Sequence, residues 1–131
     1  MIITITLNPA IDRRMRLDHQ VNLNHLNRTK ESVREPGGKG ITVTRAINAL
    51  GGDSVAIGFC AGQNGRILKD MMTSMNIMHD FVDVAGQTRV NIQIIDPKGQ
   101  HTEFNEPGPQ ISDHDFLRLV EKLESYLDDR N

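Results

Sequence analysis

The chain opens on MIITITL, a run of Ile, Thr and Leu with almost no polar gap. β-Branched residues favour a pleated strand, and the near-continuous apolar character suits a buried central one. Asn8-Pro9 ends it, because proline brings no ladder donor. A polar, charged stretch follows, with Met15 and Leu17, then Val21 and Leu23, alternating in pairs. That pattern predicts thin strands with one exposed face. At Gly40 the period lengthens. Val43, Ala46, Ile47 and Leu50 stand at i, i+3, i+4 and i+7, one stripe of a helix that Gly51-Gly52 stops. SVAIGF reads as the next buried strand. GRILKDMMTSM reads as a second helix, with Leu68, Met71, Met72 and Met75 on its core face. From Phe81 to Asn105 the alternation returns through Val90, Ile92 and Ile94, and DPKG breaks it. This predicts a hairpin, apolar on one face and polar on the other. Ser112 caps a last helix, with Asp115 in its first turn and Phe116, Leu119, Val120, Leu123 and Leu127 facing inward. The order of elements predicts an α/β layer with antiparallel strands standing off the main sheet.

Composition narrows the function more than the fold. The 131 residues suffice for one domain. A formal net charge of −2 supplies no field for a nucleic acid or a membrane surface, so neither is expected as a partner. No stretch approaches the ~18 apolar residues of a membrane span. The first residues lack a basic leader and a cleavage site, so no signal peptide is read there. Cys60 is the single cysteine, which permits no disulfide within the chain and fits a reducing, cytoplasmic setting. Its place in IGFCAG suits a small buried residue at a strand end better than a nucleophile.

The stretch VREPGGKGIT invites a nucleotide reading, and its spacing refuses it. With Gly38-Lys39 as the pair of a P-loop, the first glycine falls where Val33 stands, and Gly40 takes the place of the Ser or Thr after lysine. A dinucleotide loop starting at Gly38 requires glycine where Val43 stands, and a strand before it where KESVREP is charged. The physics of the loop survives. Gly37, Gly38 and Gly40 let backbone N–H groups approach an anion, the helix behind presents its positive end, and Lys39 adds a charge. The alternative is a tight turn with a solvated lysine. An anion site outside the nucleotide patterns points to a phosphorylated or carboxylated small molecule. Asp12 follows the first strand, where open α/β sheets gather ligands; it could equally be a solvated loop carboxylate. Arg89 and Asn91, two apart in TRVN, share one strand face. Arg89 suits a phosphate or carboxylate fork and Asn91 suits hydroxyls, although an ordinary polar hairpin face has the same look. Asn105, Glu106 and Gly108 form a proline-rigid turn that reads as a cap or a wall of a site. The five histidines show no metal-ligand spacing, and no metal site is assigned.

TLNPAID, PGGKGI with TRAINALGG, GFCAGQNG, TRVN and TEFNEPGP occur in this order. Together they resemble the PfkB family of sugar kinases, within the ribokinase-like fold, over essentially the whole chain. The resemblance implies a layered sheet with flanking helices and a small antiparallel β lid, with lid segments at about residues 13–35 and 82–104. It implies ATP-dependent, Mg²⁺-dependent phosphorylation of a phosphosugar, foremost fructose 1-phosphate to fructose 1,6-bisphosphate, with tagatose 6-phosphate as the alternative substrate. A non-catalytic phosphosugar-binding module is the other alternative. It also implies that Asp12 holds sugar hydroxyls, that Gly37, Gly38, Lys39 and Thr42 line the sugar site, and that Arg89 and Asn91 hold substrate from the lid. Thr42 stands where the family usually has asparagine, and offers one hydroxyl in place of a carbonyl and two donors. The GAGD-like motif that carries the family's catalytic base does not occur in the chain, nor does the adenine-binding segment after it. The expectation is therefore an amino-terminal part of a kinase domain, with no catalytic, ATP or metal residues of its own and inactive alone. The apolar hairpin face predicts a homodimer through the lid.

Overall fold

The structure, a computed structural model, describes residues 1–128. Its elements run β1 (Ile2–Thr6), β2 (Ala10–Arg16), β3 (Glu31–Gly37), α1 (Lys39–Ala49), β4 (Ser54–Ala61), α2 (Gly62–Ser74), β5 (His79–Val84), β6 (Arg89–Ile95), β7 (His101–Asn105) and α3 (Asp113–Asp128). Two sheets result. A three-stranded parallel sheet has the order β1-β4-β5, and a four-stranded mixed sheet has the order β3-β2-β6-β7.

The first sheet carries the core. All eight residues of β4 are buried. On one side Ala56 and Cys60 meet Ile41 of α1 and Leu68 and Met72 of α2, and Ile11 of β2 joins them. On the other side Val55, Ile57, Phe59 and Val82 meet Leu119 of α3, with Leu123 and Tyr126 alongside. The chain crosses between the sheets at residues 7–9 and again at 85–88. The first crossing lies beside the glycine turn that precedes α1, where Pro9 and Thr6 face Gly38.

Several expectations are corrected. β1 reads as a central strand, yet among the described residues it pairs only with β4, and Ile2, Ile5 and Leu7 are exposed. The expected stripe of α1 is rotated. Ile41 and Thr44 are buried, whereas Val43 and Leu50 are 50% and 89% exposed. The interface is partly polar: the hydroxyls of Thr4 and Thr44 lie 2.5 Å apart, a contact that an apolar-stripe rule overlooks. On α2, Met75 falls at the C-cap and is 42% exposed, so the core face ends at Met72. On α3, Phe116 and Leu127 are exposed, and only Leu119 is fully buried. Val21 and Leu23 belong to no strand. That loop is organised instead by the Asn27 side chain, which bonds the backbone of Asn22 and His25. The segment expected to form one hairpin from Val82 divides. Residues 79–84 enter the first sheet, because Phe81 and Val82 are buried there, and only β6 and β7 form the hairpin.

Other local signals appear as read. Asp96 accepts hydrogen bonds from the N–H groups of Lys98 and Gln100, which closes the DPKG turn. The Ser112 hydroxyl accepts from the N–H of Asp115, and the Asp115 carboxylate accepts from the N–H of Ser112, a reciprocal cap on α3. Cys60 is buried, and burial pushes its thiol up to about 11, which suits a packed residue and not a nucleophile. No helix among the described residues is long and apolar enough to cross a membrane.

Candidate functional site

Strand register builds the site. Across the second sheet Asp12 pairs with Glu35 on one side and with Asn91 on the other, and Asn91 pairs with Asn105. Paired residues share a face, so Glu35, Asp12, Asn91 and Asn105 form one polar row. Arg89 lies one pair along the same face, opposite Ala10. Asp12 is thus a strand residue and not a loop carboxylate. β2 begins at Ala10, immediately after Pro9.

The Asp12 environment is unusual for an aspartate. Burial pushes its carboxyl above the ordinary range; the charge of Arg89 and a hydrogen bond from Asn91 pull it down without overcoming that burial, and Glu35 and Glu103 push it further up. Gly37 lies against it so closely that a β-carbon there would run into the carboxylate. Glycine at 37 is therefore what leaves Asp12 room. Gly38 takes a positive φ of 122° as the N-cap of α1, and a β-carbon on it would approach Thr6 Cγ2 to 2.6 Å. Lys39 opens the helix with an exposed side chain. The Thr42 hydroxyl donates to the Gly38 carbonyl at 3.0 Å, so its hydrogen is used within its own helix and its lone pairs remain. Thr42 also lines a groove of about 560 Å³ between α1 and α2, with Arg45, Asn48 and Met75. That groove is larger than the hollow at Arg89 but gathers fewer polar groups.

Arg89 borders a cavity of about 420 Å³ lined by Asn64, Gln87, Glu106, Pro107 and Gly108. Its Nε is buried with no hydrogen-bond partner among the described residues. Two cross-links hold this strand start in place. The Asn64 side chain donates to the Thr88 carbonyl at 3.0 Å, and the Thr88 hydroxyl accepts from the Ala61 N–H at 2.9 Å. The Asn8 side chain donates to the Pro107 carbonyl at 3.0 Å, tying the end of β1 to the turn after β7. Asn8 and Asn64 escape sequence reasoning, because a lone asparagine carries no periodicity; only their places in TLNPAID and GFCAGQNG mark them.

The sequence-derived residues therefore fall into two groups. Asp12, Gly37, Arg89 and Asn91 interact or touch, while Gly38, Lys39 and Thr42 follow at the start of α1. Among the described residues no three His, Cys, Asp or Glu side chains gather as a metal site.

A carboxylate raised by burial destabilises the fold when ionised. The contribution of Asp12 to stability is full below its unfolded pKa and is lost as pH rises through the higher folded value. Asp12→Asn is expected to melt higher than the parent chain at pH 7, with the gap closing toward pH 4. Thermal unfolding across that range checks it, and a gap independent of pH would contradict it.

Fold and site together define an α/β protein with a polar, cation-bearing cleft where two sheets meet. Comparison with known proteins makes this specific. A family model described as pfkB family carbohydrate kinase matches residues 5–130. The chain belongs to the pfkB family of carbohydrate kinases, and the ribokinase-like architecture expected from its motifs is the one found. It is 37% identical over 125 residues to 1-phosphofructokinase of Bacillus subtilis, a match covering 95% of this chain and 40% of that protein. It is 38% identical over 127 residues to tagatose-6-phosphate kinase of Staphylococcus epidermidis, covering 97% of this chain and 39% of that one. Among solved structures, phosphofructokinase-2 of Escherichia coli in complex with fructose 6-phosphate superposes with a TM-score of 0.88 at 30% identity, covering 95% of this chain and 41% of that one. The chain thus spans about 40% of the length of the relatives it matches.

Proposed function

We propose that this chain supplies the acceptor-binding part of an ATP-dependent phosphosugar kinase that converts fructose 1-phosphate to fructose 1,6-bisphosphate. The observation that carries the reading is the convergence of Asp12, Arg89 and Asn91 on one sheet face against Gly37. The Asp12 carboxylate accepts hydrogen bonds from two sugar hydroxyls, the Arg89 guanidinium forks onto the phosphate, and the Asn91 amide donates to Asp12 or to a hydroxyl. The N–H groups after Gly37 and Gly38, with Lys39, bring positive character to the same place. Thr42 contributes an acceptor only, so a ligand group that meets an asparagine amide in relatives loses a donor here.

ATP and Mg²⁺ would be the donor substrate and its ion in the intact enzyme. The described residues gather no carboxylate cluster for that ion. The part played by this chain is to bind and orient the acceptor and to exclude water, which suppresses wasteful hydrolysis. The second sheet acts as the lid. Its other face carries Met15, Ile92, Ile94 and the 58%-exposed Phe104, which supports pairing of two lids in a homodimer.

The match to tagatose-6-phosphate kinase at 38% identity, beside 37% for 1-phosphofructokinase, favours tagatose 6-phosphate as the second reading. Titration calorimetry of the chain with both esters decides between them. The expected result is tighter binding of fructose 1-phosphate. Tighter binding of tagatose 6-phosphate would replace the substrate, and no binding of either ester would overturn the acceptor site.

A further inference from the structure

We propose that Glu106 is a positioning residue of this site, holding the Asn91 amide and the β6 backbone in the orientation that leaves Asp12 free to receive a ligand. The inference rests on the acceptor-site reading of Asp12, Arg89 and Asn91. β7 ends at Asn105, opposite Asn91, so the ladder stops one residue short of Val90. Glu106 continues it by other means. Its Oε1 accepts the Val90 N–H at 2.8 Å, and its own N–H donates to Asn91 Oδ1 at 3.2 Å. Val90 lies between Arg89 and Asn91, so both bonds land on the stretch that carries the site. With its carbonyl engaged, the Asn91 amide turns its NH₂ toward Asp12, where a hydrogen bond stabilises the carboxylate. The bond to Asn91 comes from the Glu106 backbone N–H, which the carboxylate holds in place by pinning the turn to Val90; an Asn91 that loses it can flip and set its carbonyl against the Asp12 carboxylate, which is repulsive. The turn itself is anchored from the far side, where Asn8 bonds the Pro107 carbonyl. The carboxylate of Glu106 is what closes the near side.

The effect is positional, so an acceptor at the same place should suffice. Glu106→Gln keeps an oxygen for Val90, and Glu106→Ala removes it. Two readouts on the isotope-labelled chain separate the cases: hydrogen exchange at the Val90 amide, and calorimetric Kd for fructose 1-phosphate. Glu106→Ala is expected to speed Val90 exchange and weaken binding by about 10-fold, the scale of one lost hydrogen bond. Glu106→Gln is expected to stay within about 2-fold of the parent in Kd. Should Glu106→Ala not fold, Glu106→Asp, one methylene too short to reach Val90, carries the same expectation. Parent-like binding by Glu106→Ala, or equal loss in Glu106→Gln, overturns the positioning role while the acceptor site stands. Failure of the parent chain to bind the ester overturns the acceptor site, and the inference with it.

Discussion

Arg89→Ala is expected to weaken binding of fructose 1-phosphate by about 30- to 150-fold, the equivalent of roughly 2–3 kcal/mol for a lost charged hydrogen bond. The reason is local. Arg89 stands on the same sheet face as Asp12 and Asn91, and its Nε is buried without a partner among the described residues, so an incoming phosphate meets a donor that none of them satisfies. Arg89→Lys keeps the charge and loses the fork, and should fall between the two. Removing Arg89 also removes a charge that lowers the Asp12 pKa, so the pH below which binding fades should move upward in the variant. Calorimetry with the ester and with unphosphorylated fructose separates a phosphate contact from general damage. The loss should appear with the ester alone. An unchanged Kd, or an equal loss with both sugars, would remove Arg89 from the phosphate.

The second large effect is on stability. Gly58 pairs with Thr6 across the parallel β1–β4 ladder, inside a strand buried along its whole length. A β-carbon on Gly58 would run into the Thr6 carbonyl oxygen and come within 2.9 Å of its carbon, and backbone atoms in a ladder have no way to turn aside. Gly58→Ala is expected to cost roughly 3 kcal/mol or more, the upper part of the overpacking range. That is a large share of the ~5–15 kcal/mol typical of a domain, and should lower Tm by about 10 °C or more. Gly99→Ala is the control. Nothing lies within 4 Å of its β-carbon position, although its φ of 79° is unfavourable for alanine, so it should cost only about 1 kcal/mol. Thermal unfolding by circular dichroism compares the two, and equal melting points would contradict the steric account. Thr6 also touches Gly38, so the same substitution should displace the glycine turn and weaken ligand binding in whatever protein still folds.

Local chemistry explains which parts were readable in the sequence. The strand β4, the Leu68–Met72 face of α2, the DPKG turn and the Ser112–Asp115 cap each follow from a few neighbouring residues, and each appears where the pattern places it. The face of α1 does not follow, because Thr4 and Thr44 meet at its interface and hydropathy ranks threonine as a surface residue. β5 was hidden in the expected hairpin. HDFVDV and RVNIQII have similar β propensity, and only burial of Phe81 and Val82 against distant elements assigns the first of them to the other sheet. At the site, Arg89 and Asn91 were legible from a spacing of two. Their pairing with Asp12 depends on a parallel register between strands far apart in sequence, which no local pattern contains. The bond from Glu106 to Val90 is of the same kind.

The most direct test of the account is a crystal structure of the chain with fructose 1-phosphate bound. The sugar hydroxyls should lie on Asp12, the phosphate on Arg89, and the Gly37–Gly38 turn against the ring. A ligand seated instead in the groove between α1 and α2, with Asp12 and Arg89 untouched, would contradict it.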